Sequence, residues 1–355
     1  MNKGGVLLGG KSSTVASTKN TPLPVDDTPI LNLWLGVYSF PTVSIADDIG
    51  LFAKLSEAKS LSAEDIARQY SLSPRATEAL LAVLCSLGYL ESRQGRFSLT
   101  PLARTYLLPS SPFYAGGILH LLRDIPFTHS ALKEALSKDK AMAYGGRDIW
   151  EVHKMDPKQA EVFTEAMQAL SAAGAAGVAS RGDFRGVHRL LDVAGGSGCY
   201  CAALALRYPE MKFTVLEMPG VADITRRYLE RFGVADRVAV HEANMFTDPW
   251  PPGHDAVFFS NIFHDWDERS CRRLLENSRA ALPAGGRIYI HETLLNEAKD
   301  GPLHSALYSM DMIFFTQGKQ FTRSELSRLL HEEGFRDIRV TKSFSYWSLI
   351  SARRA

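Results

Sequence analysis

Residues 190–198 read Leu-Leu-Asp-Val-Ala-Gly-Gly-Ser-Gly, an apolar run that closes on Asp192 and then on Gly195, Gly196 and Gly198. A buried strand that turns through glycines into a helix lets its backbone approach a ligand closely, and the free N–H groups of the helix N-terminus face the ligand's negative end. A dinucleotide fingerprint needs a further glycine near Cys201, and its absence disfavours NAD. One βαβ period later Glu217 ends a second apolar run, where a carboxylate can take the ribose hydroxyls of a nucleoside cofactor; the plain alternative is a surface carboxylate before Pro219. A third run leads to Asn244, able to hydrogen-bond a base, and Met245, able either to pack on the base or simply to fill core.

A fourth run ends in Ser260-Asn261-Ile262-Phe263-His264-Asp265-Trp266-Asp267. In an open α/β sheet, ligands bind beyond the carboxyl ends of the strands where the strand order reverses, and Ser260 and His264 fall at such an end. A neutral imidazole of ordinary pKa, about 6.5, accepts a proton at neutral pH, whereas a phenol at about 10 stays un-ionised and is a poor nucleophile. A solitary strand-end histidine is commonly a structural hydrogen-bonder. With the glycine loop upstream, His264 reads as a general base toward a hydroxyl.

These residues need a parallel sheet to hold them. Beyond Arg189, short runs rich in β-branched residues (190–194, 213–217, 238–241, 256–260 and 288–291) alternate with helical segments, the rhythm of βαβ units. Runs 338–342 and 347–351, joined by a short turn, predict an antiparallel hairpin closing one sheet edge. The fold class is therefore α/β, with residues 181–355 as a Rossmann-like domain. Residues 109–180 predict a helical linker laid over it. A helix from about Leu303 to Phe315 faces that linker across the expected substrate pocket, lined by Phe163, Met167, Met310 and Phe314; plain core is the alternative for those four.

Residues 29–108 form a second, mostly helical unit. Apolar spacing from Pro29 to Ser56 predicts two short helices broken at Pro41. Ser62 before Glu64 and Asp65, and Ser73 before Pro74, mark two helix starts with helix-turn-helix spacing. Two short alternating runs about Gln94-Gly95 supply a wing. Winged helices often read DNA, but the second helix offers Arg75 against Glu78 and otherwise apolar residues, too few cations for phosphate contacts. The apolar face of the first helices, with Trp34, Tyr38 and Phe52, predicts a homodimer instead.

Forty basic residues against thirty-nine acidic ones give no overall field for nucleic acid or an anionic membrane. No run approaches the ~18 apolar residues of a membrane span. The four cysteines show neither disulfide framework nor zinc spacing, which points to a reducing cytoplasm and to no metal. Residues 1–28, rich in Gly, Ser and Thr, read as a disordered tail, and a transit segment is a weaker alternative.

In combination, Asp192-Val193-Ala194-Gly195-Gly196-Ser197-Gly198, His264-Asp265-Trp266, Gly285-Gly286-Arg287, Gly301-Pro302-Leu303 and Thr322-Arg323-Ser324-Glu325 resemble the plant and bacterial small-molecule O-methyltransferases, among them the acetylserotonin and caffeate enzymes. The resemblance implies S-adenosylmethionine as cofactor, held by the glycine loop and Glu217, with a cofactor contact at Ser171. It implies His264 as general base flanked and oriented by Glu292 and Glu325, a pocket with Phe163 and Met167, and a small aromatic hydroxyl as acceptor. The chain departs from the family's usual aspartates at Glu217 and Asn244, and lacks the lysine many plant members carry just before the histidine. Two other functions stay open at this level: methylation at carbon, or a non-methylating reaction, on the same fold, and a DNA-binding regulator whose second domain senses a metabolite.

Overall fold

The structure is a computed structural model that describes residues 25–125 and 127–355. The reading of the N-terminal tail lies outside these residues up to position 24; Thr28, counted with the tail, already opens the first helix.

Three helices, α1 (Thr28–Gly36), α2 (Ser39–Asp48) and α3 (Leu51–Ala58), begin the chain, where the sequence predicts two. Pro41 does not break the second helix, because in its first turn the missing N–H has no intrahelical acceptor to lose. The interruptions fall instead at Val37 and Tyr38 and at Gly50, whose φ of +73° suits only glycine without strain. Thr28–Asp48 as a whole is long and apolar enough to cross a membrane by length and composition, which corrects the sequence reading. It is, however, divided at Val37 and Tyr38, and its far end is docked: Asp47 accepts the Tyr114 hydroxyl at 2.8 Å and Asp48 pairs with Arg123 at 2.5 Å.

The helices α4 (Ala63–Tyr70) and α5 (Pro74–Ser86) start at Ser62 and Ser73, each capping by accepting a backbone N–H, from Asp65 and Ala76. Strand β1 (Leu61–Ser62) joins the hairpin of β2 (Leu90–Arg93) and β3 (Arg96–Leu99), which turns through Gln94 and Gly95, both at positive φ. Phe52, expected from the sequence on the dimer face, is instead buried because its side of α3 faces inward, and with Leu55, Ile66, Leu81, Leu84, Leu90 and Leu99 it fills the core between these elements. Helices α6 (Pro101–Tyr106), α7 (Gly116–Asp124), α8 (His129–Lys138) and α9 (Ile149–Met155) lead into α10 (Pro157–Arg181), 25 residues long.

The remaining strands are β4 (Arg189–Val193), β5 (Lys212–Glu217), β6 (Val238–Glu242), β7 (Ala256–Ser260), β8 (Arg287–Thr293), β9 (Phe335–Phe344) and β10 (Trp347–Arg354). They make one seven-stranded sheet in the order β6-β5-β4-β7-β8-β10-β9. All pairings from β6 to β8 are parallel, and β10 inserts antiparallel between β8 and β9, so the predicted hairpin closes one edge. Central parallel strands are covered on both faces and read as unbroken apolar runs; Ala256, Val257, Phe258 and Phe259 of β7 are all fully buried. Helices α11 (Cys199–Arg207), α12 (Pro219–Arg231), α13 (Glu268–Ala281), α14 (Leu303–Phe315) and α15 (Arg323–Glu332) supply the crossovers and cover. The order reverses between β4 and β7, so the carboxyl ends of those two strands open the crevice in which such sheets bind ligands.

Candidate active site

A cavity of about 1040 Å³ lies beyond those strand ends, roofed by α7, α9, α10 and α14. That matches the upper end of small-molecule sites, ~300–1,000 Å³, and leaves room for two ligands side by side.

One end is the glycine loop. Leaving β4, the chain puts Ala194, Gly196 and Gly198 at positive φ, and Gly198 caps α11. A Cβ on Gly195 would sit 2.7 Å from the Asp192 carboxyl carbon, and one on Gly198 would sit 2.8 Å from Leu229 Cδ2, so both close approaches require glycine. Glu217 secures the loop by accepting the Gly196 N–H at 2.9 Å through Oε2 and the Met218 N–H at 2.8 Å through Oε1. Burial raises its pKa, and those two N–H groups hold it back. Asp192, 1% exposed, is carried up to about 7 by burial. Glu217 and Asp192 both line the cavity with lone pairs still free for hydroxyl or amine donors. Asn244 also lines it, with its side-chain oxygen taken by the Phe246 N–H at 2.9 Å, leaving the amide group to meet a base; Met245 stands beside it.

We expect alanine at Gly196 or Gly198, both at positive φ, to cost about 1–2 kcal/mol for a left-handed non-glycine residue. Gly198→Ala meets Leu229 as well, whereas nothing lies within 4 Å of a Cβ on Gly196. Urea denaturation should therefore rank Gly198→Ala as the less stable variant; equal stabilities would contradict this packing.

The other end is built on the 3₁₀ turn Phe263–Asp265 after β7. His264 is 2% exposed, and its Nδ1 lies 2.6 Å from Oε2 of Glu292, which β8 places alongside. This hydrogen bond directs Nδ1–H at the carboxylate and leaves Nε2 as the free acceptor. Nε2 lies 3.6 Å from Asp265 Oδ1, and the Tyr308 ring packs 4.9 Å from the imidazole. Burial opposes the imidazolium, but the charges of Glu292 and Asp265, the Glu292 hydrogen bond and the charge of Asp311 outweigh it and carry the pKa up to about 9. The sequence reading, which leaves the imidazole at its ordinary value, is corrected by those carboxylates.

Glu325, expected from the sequence to flank His264, makes no hydrogen bond or ion pair with it among the described residues. Its carboxylate accepts the Thr322 N–H at 2.9 Å as half of the α15 capping box and takes Lys299 and Lys319, each at 2.7 Å. Despite partial burial, which raises its pKa, the two lysines draw it down to about 2. Thr-x-x-Glu is itself the capping-box pattern, and here that is what it builds.

Phe163, Met167 and Ser171 line the cavity from one face of α10. On α14 the predicted pair is out of phase. Phe314 is buried among Ala143, Ile149 and Phe315, and Met310 is not part of the cavity wall. The lining face is Tyr308, Asp311, Met312 and Phe315, the i, i+3, i+4, i+7 stripe. Sequence reasoning gave no role to Asp311, Tyr308 or Trp150; the only available signal for the first two was that helical stripe, blurred by apolar residues on the other faces. Trp150 stacks on Trp266 at 5.7 Å and 21°, forming a flat aromatic wall. Ser260 Oγ and the Tyr200 hydroxyl share His291 Nδ1, at 3.3 and 3.1 Å. Asn261 reaches Ser171 through Nδ2, and its buried Oδ1, also in the cavity lining, has no partner among the described residues.

A parallel sheet in this order, with a glycine loop after its first strand and an acid closing the second, defines the class I methyltransferase architecture. Family models match twice: an O-methyltransferase dimerisation domain over residues 31–109 and an O-methyltransferase domain over 129–336. The chain belongs to the O-methyltransferase family. It is 33% identical over 325 residues to the 3-hydroxy-5-methyl-1-naphthoate 3-O-methyltransferase of Streptomyces sahachiroi, spanning 90% of this chain and 93% of that one. It is 29% identical to the acetylserotonin O-methyltransferase of Bos taurus, over 87% of this chain and 92% of the relative. The crystal structure of human N-acetylserotonin methyltransferase in complex with SAM superposes with a TM-score of 0.83 at 25% identity, covering 94% of this chain and all, 100%, of that one. The protein is a SAM-dependent O-methyltransferase.

The site's own features fit that cofactor. Two buried acids face the glycine loop, the open backbone at Gly196 lets a ligand approach, and the unpartnered Asn261 oxygen awaits a donor.

Proposed function

We propose that the chain methylates a hydroxyl on a small aromatic molecule, with His264 as general base and Glu292 as the group that orients it. The observation that carries this reading is the buried 2.6 Å pair of His264 and Glu292 in the same cavity as the glycine loop. S-adenosylmethionine supplies an electrophilic methyl group when bound. Gly195, Gly196, Gly198, Asp192, Glu217, Asn244, Met245, Ser171 and Ser260 would hold it at the loop end. His264 Nε2 accepts the hydroxyl proton as that oxygen takes the methyl, giving a methyl ether and S-adenosylhomocysteine. Glu292 keeps the proton on Nδ1, so that Nε2 is the nitrogen free to act. Trp150, Phe163, Met167, Tyr308 and Phe315 supply flat apolar walls that match an aromatic ring. Incubation with S-adenosylmethionine and a panel of phenols, read by mass spectrometry, should give methyl ethers. A folded sample that binds the cofactor and methylates no hydroxyl would sink the assignment.

Residues 29–108 act in this reading as the dimerisation unit and 109–180 as the helical cover of the site. Helix α1 buries none of its residues, with Leu33 and Trp34 exposed by 75% and 65%, and Tyr38 just beyond it is exposed by 61%. An apolar face of that size supports a homodimer with an interface well over ~1,000 Å². Trp34→Asp with Tyr38→Asp should convert the dimer to a monomer in light scattering; a wild-type monomer would refute the pairing. Four free cysteines support a reducing, cytoplasmic setting.

A further inference from the structure

The acceptor end of the cavity gathers three carboxyl groups about one imidazole, that of His264, so acids outnumber bases there. Asp311 faces it from α14, and among the described residues its carboxylate makes no hydrogen bond or ion pair. Asp265, on the other side of the imidazole, has His264 Nε2 at 3.6 Å and no hydrogen bond. Three carboxyl groups, those of Asp265, Glu292 and Asp311, therefore act on one imidazole. Burial pushes the Asp311 carboxyl up to about 6, still ionised at neutral pH. Among the described residues Lys154 is the only lysine or arginine lining the cavity, and it is 69% exposed and held 3.9 Å from Glu151. The His264 imidazolium is already faced by these carboxyl groups, and among the described residues no lysine or arginine stands at this end to receive an anionic acceptor.

A buried carboxylate with free lone pairs rewards a ligand that brings a donor and penalises one that brings a second negative charge. Resting on the O-methyltransferase reading, we propose that Asp311 sets acceptor specificity. It selects aromatic acceptors that carry a second O–H or N–H donor beside the reacting hydroxyl and rejects those that carry a carboxylate. The chain would then differ in acceptor class from its relative named for a naphthoate, despite their 33% identity.

The test uses three acceptors on one ring system: a naphthalene with two adjacent hydroxyls, the matching naphthol, and the matching hydroxynaphthoate. Dissociation constants are measured calorimetrically on the wild-type protein saturated with S-adenosylhomocysteine, a readout that needs no turnover. The diol should bind about tenfold tighter than the naphthol and about a hundredfold or more tighter than the naphthoate. Asp311→Asn should shrink the gap between diol and naphthoate by about tenfold or more, mainly through tighter naphthoate binding. Wild-type protein that binds the naphthoate within about threefold of the diol, or that binds none of the three, overturns the proposal without any variant. A folded Asp311→Asn protein with an unchanged ratio does the same. Tight, selective binding of the diol without its methylation would instead count against the general-base reading and leave the selectivity standing.

Discussion

His264→Ala is expected to lower kcat by about 10²–10⁴ while the affinity for S-adenosylhomocysteine stays at its wild-type value. General-base assistance is worth that range. The remaining acceleration comes from holding the hydroxyl in line with the methyl group, where effective molarities supply about 7–11 kcal/mol that the imidazole does not touch. The two ends of the cavity are built separately, which is why binding should survive. The loop end rests on Glu217, Gly196 and Asp192, and the base end on the 3₁₀ turn and Glu292. Removing the imidazole also leaves the Glu292 carboxylate buried, 1% exposed, without its 2.6 Å partner. A stability loss of about 1–3 kcal/mol should accompany the kinetic one. Steady-state kinetics with calorimetry on the same preparation separates the two effects. Full turnover in the variant would mean that His264 is not the base.

Glu292→Gln should lower kcat by about 10–10³ and move the ascending limb of the kcat/KM profile to lower pH. The reactive imidazole is the neutral one, so activity in the wild-type enzyme rises as pH passes through the pKa of about 9. Glutamine removes the adjacent negative charge that favours the imidazolium, and the pKa then falls. Its amide can still accept from Nδ1, but can also turn its NH₂ toward the ring and select the wrong tautomer, which is the source of the kcat loss. A limb that stays in place, or moves to higher pH, would show that Glu292 does not set the protonation of His264. The same linkage acts on stability. The folded-state pKa lies above the ordinary 6.5, so the contribution of the pair is complete below that value and lost as pH rises through about 9.

The features most legible in the sequence are those where one residue type answers one backbone demand. Gly195 and Gly198 stand where a Cβ would collide, Ser62 and Ser73 stand where helices need a cap, and β7 is apolar throughout because both its faces are covered. The strands from β4 to β8 and the closing hairpin follow from such patterns, as does the position of His264 at a strand end. Helical phase was harder to read. In Tyr308-Ser-Met-Asp-Met-Ile-Phe-Phe315 apolar residues occupy almost every face, so Met310 and Phe314 are as plausible from spacing as Tyr308, Met312 and Phe315. Glu325 misled for another reason: Thr-x-x-Glu satisfies a helix cap locally, and no local pattern tells whether a carboxylate also reaches a distant histidine. Pro41 looked like a break because a proline's cost depends on its turn of the helix, which the sequence alone does not reveal. The raised pKa of His264 arises from groups on three separate elements, the 3₁₀ turn, β8 and α14, and no single stretch of sequence contains it.

Calorimetric titration of the purified protein with S-adenosylmethionine, and then with S-adenosylhomocysteine, tests the central claim most directly. The glycine loop, Glu217 and Asp192 predict micromolar binding of both at one site per chain, with Gly198→Ala weakened. A folded sample that takes up neither ligand would contradict the cofactor site on which the whole functional account depends.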